Sequence, residues 1–330
     1  MRAIICPHYG PPDVLEIREV PTPVPGPKDV LVRVLATTVT SGDRRVRSGD
    51  FPRGFGWIAV LVVGLKGPRQ PILGTELAGV VEAVGPAVTR FKVGDAVIGF
   101  AGASMGCHAE FRCFPEDGLI VPKPANLTFE EAASLSFGAT TAIDFLRRAK
   151  LQAGEHLLVN GAAGGVGTSV VQIAKHLGAH VTGVCSTANV ELVRSIGADR
   201  VIDYTREDFT RDAARYDVIV DTVGNAAYER SRVALKERGR LALVLATLAD
   251  NLGALWVAMT SRHRVVGGPA NVRVEDLHTM VELAAKGALR PVIDRRFPFE
   301  RIADAHRYVD AGHKRGSVVV TIGDRDPQSR

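Results

Sequence analysis

The chain has 330 residues, of which 46% are hydrophobic and 23% are charged, and its formal net charge is +5. This is the composition of an ordinary globular protein, and the length is sufficient for two domains. The longest apolar run, residues 57–63, is far shorter than the roughly 20 residues that cross a bilayer, and the basic residues are scattered. We therefore expect no integral membrane span and no nucleic-acid partner.

The N-terminal residues and the cysteines indicate the cellular compartment of the protein. Residues 3–6 are strand-like and begin the chain directly, so no signal peptide is predicted. The cysteines stand at positions 6, 107, 113 and 185, and their spacing forms no disulfide framework. Both observations favour a reducing, cytoplasmic location.

The first third of the chain, residues 1 to about 123, is rich in predicted strands. Apolar or alternating runs at residues 30–36, 77–85 and 95–100 predict strands between turns. The proline-dense segment 21–27 predicts a connection without a helix. At Thr128 the pattern changes, because a hydroxyl followed by Glu130 and Glu131 is typical of a helix N-terminus.

Beyond this helix, strands alternate with helices. Strands are predicted at residues 157–160, 180–184, 198–203, 217–221, 239–244 and 264–266. This order predicts an α/β fold with a doubly wound parallel sheet and helices on both of its faces. Residues 299–305 then predict a helix, and residues 317–322 a closing strand that we expect to return to the first domain.

A glycine-rich turn separates the first two of these strands. Gly161, Gly164 and Gly167 follow a G-x-x-G-x-x-G spacing, and a predicted amphipathic helix comes next. Backbone N–H groups and the partial positive charge at a helix start suit a pyrophosphate. Gly164 and Gly165 would let the backbone approach this group, and Gly167 would let the helix pack on the strand. In its βαβ context the turn predicts a dinucleotide site.

The end of the second strand indicates which dinucleotide binds. An NAD enzyme is expected to place a ribose-binding carboxylate about 20 residues beyond the glycines, but residues 185–189 contain no acid before Glu191. An acid would repel a 2′-phosphate, whereas the hydroxyls of Ser186 and Thr187 could accept it. The sequence thus favours NADP(H). The same hydroxyls could cap the following helix, and both roles can hold at once.

Several motifs, taken in order, resemble the medium-chain dehydrogenase/reductase superfamily, specifically its zinc-independent quinone oxidoreductase (zeta-crystallin-like) branch. The resemblance covers nearly the whole chain and is carried by residues 73–81, 91–97, 106–111, 161–167, 197–204 and 217–224. It implies a chaperonin-10 (GroES)-like, β-rich catalytic domain over residues 1–123, completed by residues 296–330. A Rossmann NADP(H)-binding domain would span residues 124–295, with the active site in the cleft between them.

The resemblance also bears on metal binding. Zinc alcohol dehydrogenases of this superfamily carry a His-Glu pair where this chain has Thr75 and Glu76, a cysteine near Thr40, and a four-cysteine lobe that this chain lacks. Threonine is not a zinc ligand, so we expect no metal site. Adjacent Cys107 and His108 would face opposite sides of a strand, which argues against a replacement site. Glu76 is expected to be a buried structural acid near the cofactor cleft.

Loss of zinc narrows the chemistry. No Lewis acid would polarise an alcohol or a simple carbonyl, whereas quinones and α,β-unsaturated carbonyls are already electrophilic. We therefore expect an NADPH-dependent oxidoreductase that transfers hydride to a small hydrophobic acceptor of this kind. Two alternatives stay open: an NAD(P)-dependent alcohol dehydrogenase with an unrecognised metal, and a crystallin-like or membrane-associated protein that binds nucleotide without turnover.

The resemblance also points to individual site residues. The candidates beside the substrate are Thr40, Asp43 and Arg44, although the family has Asn-Pro at Thr40 and Ser41, and Asp43 with Arg44 could be a surface pair at a helix start. The predicted cofactor-binding residues are Thr140, Thr141, Gly161, Ala163, Gly164, Gly165, Val166, Ser186, Thr187, Tyr204, Val223, Leu245 and Arg315.

Some of these residues have a structural alternative. Thr140 and Thr141 would lie beside the nicotinamide or bond the helix backbone. Tyr204 would reach the adenosine phosphate or only support a strand end. Lys314 and Arg315 precede the last strand and could meet a cofactor phosphate or face water.

Two further features concern surfaces. The apolar segment from Phe55 to residue 65, together with Trp256, could wall a hydrophobic pocket or act as a lid, could be a core helix, or could contact a membrane between Arg53 and Lys66. The strand at residues 264–266 comes late in the sheet. In the superfamily that the chain resembles, such edges pair across a two-fold axis, so a homodimer is expected.

Overall fold

The computed structural model describes residues 1–51, 54 and 56–323, without the side chains of residues 57–60. The described strands, in chain order, are β1 (Arg2–Ile5), β2 (Glu16–Glu19), β3 (Asp29–Thr38), β4 (Glu76–Val84), β5 (Ala96–Phe100), β6 (Phe111–Pro115), β7 (Ile120–Pro122), β8 (His156–Asn160), β9 (His180–Cys185), β10 (Arg200–Asp203), β11 (Tyr216–Asp221), β12 (Leu235–Leu243), β13 (Arg264–Val266), β14 (Ile293–Pro298) and β15 (Ser317–Thr321).

The described helices follow the same convention. They are α1 (Ser41–Ser48), α2 (Gly56–Val63), α3 (Phe129–Ala133), α4 (Ser136–Arg148), α5 (Gly165–His176), α6 (Val190–Ser195), α7 (Tyr228–Ser231), α8 (Leu248–Thr260), α9 (Val274–Ala285) and α10 (Ile302–Asp310).

The first part of the chain forms a mainly antiparallel sheet of seven strands, in the order β14-β15-β3-β4-β5-β7, with β6 paired to β3. Strand β3 shows why the sequence folds this way. Val30, Val32 and Val34 are buried in one core cluster, whereas Arg33 between them is exposed and pairs with Glu82. This period of two puts apolar groups on one face and charges on the other.

The second sheet has six parallel strands in the order β10-β9-β8-β11-β12-β13. The central strands β8 and β11 are buried almost throughout, as expected for a parallel sheet covered on both faces. The order reverses direction between β8 and β11, and ligands of such sheets bind at the carboxyl ends of the strands beside this point. The predicted α/β, doubly wound sheet beside a β-rich, GroES-like unit is confirmed.

The chain returns to its first sheet at the end. Strand β15 pairs with β3, with Val319 opposite Thr38, as the sequence predicted for the closing strand. Strand β14 pairs with β15 in parallel and spans the predicted boundary between residues 295 and 296. The C-terminal segment therefore leaves the nucleotide-binding sheet and passes beside the crevice on its way back.

The apolar segments outside the core face solvent. Leu61, Val62 and Leu65, in and after α2, are 53%, 67% and 74% exposed, and Trp256 in α8 is 61% exposed. Phe55 lies outside the described residues. None of the described helices has the length and apolarity needed to cross a membrane. Leu61, Val62 and Leu65 therefore face solvent, while the side chains of residues 57–60, on which the core-helix interpretation also depends, lie outside the described part of the chain.

Candidate active site

A cavity of about 1140 Å³ opens at the crevice and is lined by residues of both sheets. The second sheet contributes the loops that follow β8, β9, β10 and β11. The first sheet contributes the end of β3 and the start of α1, and the return segment before β15 forms another wall. This volume is in the range of cofactor and ligand sites.

The glycine turn forms the floor of the cleft. Gly161 ends β8 with φ +84°, a conformation that favours glycine. A Cβ atom at Gly167 would lie 2.0 Å from the carbonyl oxygen of Gly161, so only glycine lets α5 start this close to the strand. At Gly164 the nearest atom to a Cβ would be the same oxygen at 3.5 Å. Open space and the start of α5 make this turn a fitting cradle for a pyrophosphate.

The adjacent loop after β11 is held by one buried carboxylate. Asp221 accepts hydrogen bonds from the backbone N–H groups of Val223 at 2.9 Å, Gly224 at 3.1 Å and Ala226 at 2.9 Å. The side-chain amide of Asn160 also donates to it at 2.9 Å. These contacts satisfy a fully buried charge and fix the loop that puts Val223 against the cleft.

The loops after β9 and β10 form the far end of the cleft. Ser186, Asn189, Tyr204, Arg206 and Arg211 line it there. Asn189 donates to the Ser186 hydroxyl at 3.1 Å, and its own carbonyl oxygen is buried without a partner among the described residues. Hydroxyls, amides and arginines can donate hydrogen bonds to a phosphate, and the end of β9 carries no acid.

The acidic residues at this end of the cleft form hydrogen bonds and ion pairs with neighbouring side chains. Asp203 accepts hydrogen bonds from the Thr187 hydroxyl at 2.6 Å and from the Thr205 hydroxyl at 2.7 Å. Asp208, which lines the cleft, pairs with Arg230 at 3.0 Å. The hydroxyl contacts lower the pKa of Asp203, and a hydrogen bond from the backbone N–H of Thr210, together with Arg230, lowers the pKa of Asp208. The charge of this end is therefore mixed, with arginines partly offset by acids.

The opposite end of the cleft is built by β3, β4 and α1. The Thr40 hydroxyl donates to Asp43 at 2.6 Å, and the Asp43 backbone N–H donates back to Thr40 at 3.2 Å, which forms a capping box at the start of α1. The second oxygen of Asp43 accepts the backbone N–H of Gly74 at 2.9 Å. Asp43 is fully buried and therefore orients Thr40 instead of meeting a ligand.

Glu76 is the buried acid of this end. Its carboxyl oxygens lie 2.5 Å from the Thr38 hydroxyl and 2.5 Å from the backbone N–H of Phe137. Burial raises the pKa of Glu76 to about 8, while these two hydrogen bonds act in the opposite direction. At neutral pH the group thus carries a proton, and it lines the cleft as a neutral carboxylic acid.

Arg44 supplies the positive charge at the cleft mouth. Its side chain lies 3.3 Å from Asp310 and 3.3 Å from Asp50. Asp310 is also held by fully buried Arg47, whose terminal nitrogen lies 2.7 Å from each of the two carboxylate oxygens. Two arginines therefore share Asp310, so Arg44 retains capacity for a further negatively polarised oxygen.

Two positions that the resemblance connects with zinc ligands in other members of the superfamily come together here. The hydroxyl oxygens of Thr40 and Thr75 lie 3.4 Å apart, and Thr75 is followed directly by buried Glu76. Over residues 1–51, 54 and 56–323 no group of three or more His, Cys, Asp or Glu side chains could hold a metal ion. The donor set at this point consists of hydroxyls, which are poor ligands for zinc.

Most of the predicted site residues line this one cleft. They are Thr40, Arg44, Gly161, Ala163, Gly164, Gly165, Val166, Ser186, Tyr204, Val223 and Arg315. The remaining predicted residues, which are not among its lining, are Asp43, Thr140, Thr141, Thr187 and Leu245.

The second group has structural contacts instead. Thr140 is fully buried in α4 and donates to the carbonyl of Ser136 at 2.6 Å, the helix-backbone alternative that the sequence left open. Thr187 turns its hydroxyl to Asp203. Leu245 packs close to Gly224, where a Cβ would lie 3.4 Å from it. Trp256 is likewise not part of the lining, so it forms no wall of this cleft.

Sequence reasoning missed several lining residues. Arg206 and Arg211 follow Tyr204 within one loop, and two basic residues directly after a strand end were a usable signal. Asn160 lines the cleft from the end of β8. Glu76 was expected as a buried acid near the cleft, but its raised pKa depends on neighbours distant in sequence, which only the fold reveals.

A GroES-like sheet and a Rossmann-type sheet that meet at a cleft with a glycine turn are the arrangement of NAD(P)H-dependent oxidoreductases. Family models agree with both halves. The model described as an alcohol dehydrogenase GroES-like domain matches residues 26–125, and the one described as a zinc-binding dehydrogenase matches residues 196–320.

Curated relatives and solved structures extend the comparison. The chain is 33% identical to the chloroplastic NADPH-dependent alkenal/one oxidoreductase of Arabidopsis thaliana, over 97% of this chain and 79% of the relative. It is 33% identical to a quinone oxidoreductase of Pseudomonas aeruginosa, over 94% and 97%. The structure of the quinone oxidoreductase from Coxiella burnetii is similar with a TM-score of 0.87, at 31% identity, over 98% and 99%. The chain belongs to the medium-chain dehydrogenase/reductase superfamily, in its quinone oxidoreductase branch.

Proposed function

We propose that this protein is an NADPH-dependent, zinc-independent reductase of quinones or α,β-unsaturated carbonyl compounds. The observation that carries the proposal is the substrate end of the cleft, where the hydroxyls of Thr40 and Thr75 face each other and burial raises the pKa of neighbouring Glu76. This donor set offers hydrogen bonds and no anionic metal ligand. The printed names of the Arabidopsis thaliana and Pseudomonas aeruginosa relatives support the same substrate class.

The dinucleotide supplies the hydride when it is bound, and the chain supplies position and charge. The glycine turn and α5 would hold the pyrophosphate, so that the nicotinamide reaches the end of the cleft near Phe137 and Thr40. A conjugated acceptor needs mainly correct placement at this point, because its β-carbon is already electrophilic. Exclusion of water by Phe137 and Val309, which also line the cleft, would protect the reaction.

Charge that develops on the acceptor oxygen needs a donor. We assign this role to Arg44, whose guanidinium lines the cleft and shares Asp310 with Arg47. The hydroxyl proton of Thr40 is directed to Asp43, so Thr40 is better placed to accept than to donate. The proton that completes reduction of the acceptor would come from water at the cleft mouth.

The preference for NADPH over NADH is part of the proposal. It is supported by Ser186 at the end of β9, where no acid would repel a 2′-phosphate, and by Arg206 and Arg211 in the same part of the cleft. Glu207 and Asp208 also line this region and oppose the arginines in charge. The balance must therefore be measured by titration with both dinucleotides.

The experiment that tests the function has three parts. The purified protein is titrated with NADPH and with NADH, its metal content is measured, and turnover is followed with quinones, enals and simple alcohols. We expect NADPH binding, oxidation of NADPH by conjugated acceptors, and no stoichiometric zinc. Stoichiometric tightly bound zinc with alcohol oxidation would favour the alcohol dehydrogenase alternative, and binding without any turnover would favour the non-catalytic one.

We also propose a homodimer. Strand β13 lies at the edge of the six-stranded sheet, and α8, which leads into it, exposes Leu252, Leu255, Trp256 and Met259 by 62%, 68%, 61% and 84%. An open edge beside an apolar helix face is a surface that a second copy can cover. Light scattering should give the mass of two chains, and Leu255→Glu should shift it toward one. A monomeric wild type would contradict the proposal.

A cytoplasmic location is proposed on chemical grounds. The cysteines at positions 6, 107, 113 and 185 are all free thiols. Free thiols persist in a reducing compartment. Fractionation of the native host with detection of this chain would test the proposal, and recovery from an oxidising compartment would contradict it.

A further inference from the structure

The return segment before β15 is fixed on the glycine turn. The backbone N–H of Gly316 donates to the carbonyl of Ala163 at 2.8 Å, and Gly164 and Gly316 form an isolated parallel bridge. Lys314 lies two residues before Gly316, and its ammonium donates to the carbonyl of Gly316 at 2.6 Å. A lysine from the first sheet's return segment is thereby held against the floor of the nucleotide cleft.

The ammonium lies at the start of a helix. A Cβ atom at Gly165, the first residue of α5, would be only 3.3 Å from the Lys314 nitrogen. The N-terminus of a helix carries partial positive charge, so a cation is unfavourable there unless an anion lies between them. An ammonium has three donors, and the hydrogen bond to Gly316 uses one of them. Two donors remain for a ligand in the cleft.

The charged groups around Lys314 do not compensate it fully. Glu76, whose pKa is raised by burial, faces it from β4, and Asp294 faces it from β14. Asp294 already accepts the Tyr308 hydroxyl at 2.7 Å and the backbone N–H of Arg315 at 2.8 Å. Among the described residues, no carboxylate lies within ion-pair distance of the Lys314 nitrogen in the structure.

Other ionisable groups line the same cleft. Helix α1 presents Arg44, helix α10 presents Asp310, and the return segment presents His313 and Arg315. The loops at the far end of the cleft present Arg206, Glu207, Asp208, Arg211 and Arg230. Asp310 is already shared by two arginines. The first turn of α5, residues 165–168, carries no ionisable side chain. The surroundings of Lys314 are therefore short of negative charge.

We propose that Lys314 binds the pyrophosphate of the dinucleotide and takes up a proton from solvent as the dinucleotide binds. This inference rests on the proposed dinucleotide-binding function and assigns the residue that links binding to pH. Its direction follows from electrostatics, because an anion next to an amine stabilises the ammonium form. The proton adds to the Lys314 nitrogen, and no other bond changes.

The pH range in which binding takes up a proton depends on the pKa of Lys314 before the dinucleotide binds. Lys314 is partly exposed in the cleft, and desolvation of its ammonium by the surrounding chain lowers its pKa to about 8, with Glu76 and Asp294 acting in the opposite direction. Below this pH the lysine is already charged, so binding takes up no proton. Above it, affinity should fall as pH rises, approaching roughly tenfold per unit for one linked proton.

The experiment is calorimetric titration of the intact protein with NADP⁺, which allows no turnover. At a pH above 8 the titration is repeated in two buffers with different ionisation enthalpies, and the difference gives the number of protons taken up. We expect an uptake approaching one proton per site in the wild type and none at a pH two units lower. A wild type that binds NADP⁺ without proton uptake overturns this inference and leaves the proposed function standing. Absence of any dinucleotide binding overturns both.

Three variants assign the proton to Lys314. Lys314→Met should lose the uptake and weaken binding about 10- to 100-fold, the usual range for a charged hydrogen bond. Lys314→Arg keeps a permanent charge, so it should bind well at every pH with no uptake. Lys286→Met, which removes an exposed surface lysine of α9's C-terminal end, is the matched control and should behave as wild type.

Glu76 is the other group that could account for the proton. Glu76→Gln should retain the uptake if Lys314 is its source. Loss of the uptake in Glu76→Gln, together with its persistence in Lys314→Arg, would assign the proton to Glu76 and overturn the inference. Thermal melting of each variant shows that it is folded, and Lys314→Arg remains informative even if Lys314→Met does not fold.

Discussion

The carboxyl group of Glu76 lies 2.5 Å from the backbone N–H of Phe137, and this contact joins strand β4 to the first turn of helix α4. A helix start ordinarily favours a charged carboxylate. Burial outweighs that effect here and raises the pKa of Glu76 to about 8. This contact therefore fixes one wall of the cleft, where the carboxyl group of Glu76 retains its proton to a higher pH than usual.

Glu76 should make stability depend on pH. Its pKa in the folded protein lies above its ordinary value of 4.5, so the folded state holds a proton that the unfolded state releases. Stability from this group is present at low pH and declines between about pH 5 and pH 8, by at most about 1.4 kcal/mol per pH unit. Glu76→Gln imitates the protonated form and should remove this decline.

Thermal melting across this range measures the effect. The melting temperature of the wild type should fall more than that of Glu76→Gln, by roughly 2–4 °C for each kcal/mol. Glu82→Gln, at an exposed position of the same strand that pairs with Arg33, serves as the control. Equal pH slopes for wild type and Glu76→Gln would contradict the assignment of a raised pKa.

Substitutions at two glycines of the turn should affect protein stability and dinucleotide binding separately. Gly167→Ala would place a Cβ atom 2.0 Å from the Gly161 carbonyl oxygen and should cost about 1–3 kcal/mol of folding free energy or more. Gly164→Ala meets its nearest protein atom only at 3.5 Å, so it should fold normally. Because its methyl group projects into the cradle, it should nevertheless bind dinucleotide at least tenfold more weakly.

Denaturant unfolding and dinucleotide titration of both variants check this pair. If Gly164→Ala binds NADPH as tightly as the wild type, the glycine turn is not the pyrophosphate cradle.

Ser186→Asp should change the dinucleotide preference. A carboxylate at the end of β9 would repel a 2′-phosphate, by about 1–4 kcal/mol for charges roughly 4 Å apart. We expect NADPH affinity to fall about 10- to 100-fold, with NADH affinity unchanged or improved. Ser195→Asp, on the exposed C-terminal turn of α6, adds the same charge away from the cleft and is the control. A wild type that already prefers NADH would show the assignment to be wrong.

Arg44→Met should lower catalysis more than binding. Loss of a positive donor at the acceptor oxygen should reduce kcat about 10- to 1000-fold, and dinucleotide affinity should remain within about twofold because the cradle is at the other end of the cleft. Arg45→Met, the next residue of α1 and not part of the cleft lining, is the matched control. Steady-state kinetics with a quinone separates the two, and an unchanged kcat in Arg44→Met would remove Arg44 from the mechanism.

The glycine turn shows what sequence could predict. Strand, turn and helix are contiguous at residues 157–178, so local pattern alone located the cradle, and the α/β alternation located the sheet around it. Ser186 was predicted from its place at the end of the second strand and Tyr204 from the resemblance to the superfamily, and both line the cleft. Positions in turns and at strand ends can be predicted because these features follow from short stretches of sequence.

The substrate end was less predictable. Thr40 and Thr75 are distant in sequence, and their meeting depends on the pairing of β3 with β4. For Thr140 the sequence left two roles open, beside the nicotinamide or within its own helix, and in the structure its hydroxyl donates to the carbonyl of Ser136. The titration of Glu76 and the placement of Lys314 arise from burial between elements far apart in the chain, and no short pattern records burial.

A single-turnover reaction tests the central claim most directly. The protein is treated with a metal chelator, loaded with NADPH, and mixed with a quinone or an α,β-unsaturated aldehyde while the absorbance of the reduced nicotinamide is followed. The account predicts oxidation of NADPH at the same rate before and after chelation. Oxidation that is lost on chelation and restored by zinc, or tight NADPH binding with no oxidation by any conjugated acceptor, would contradict it.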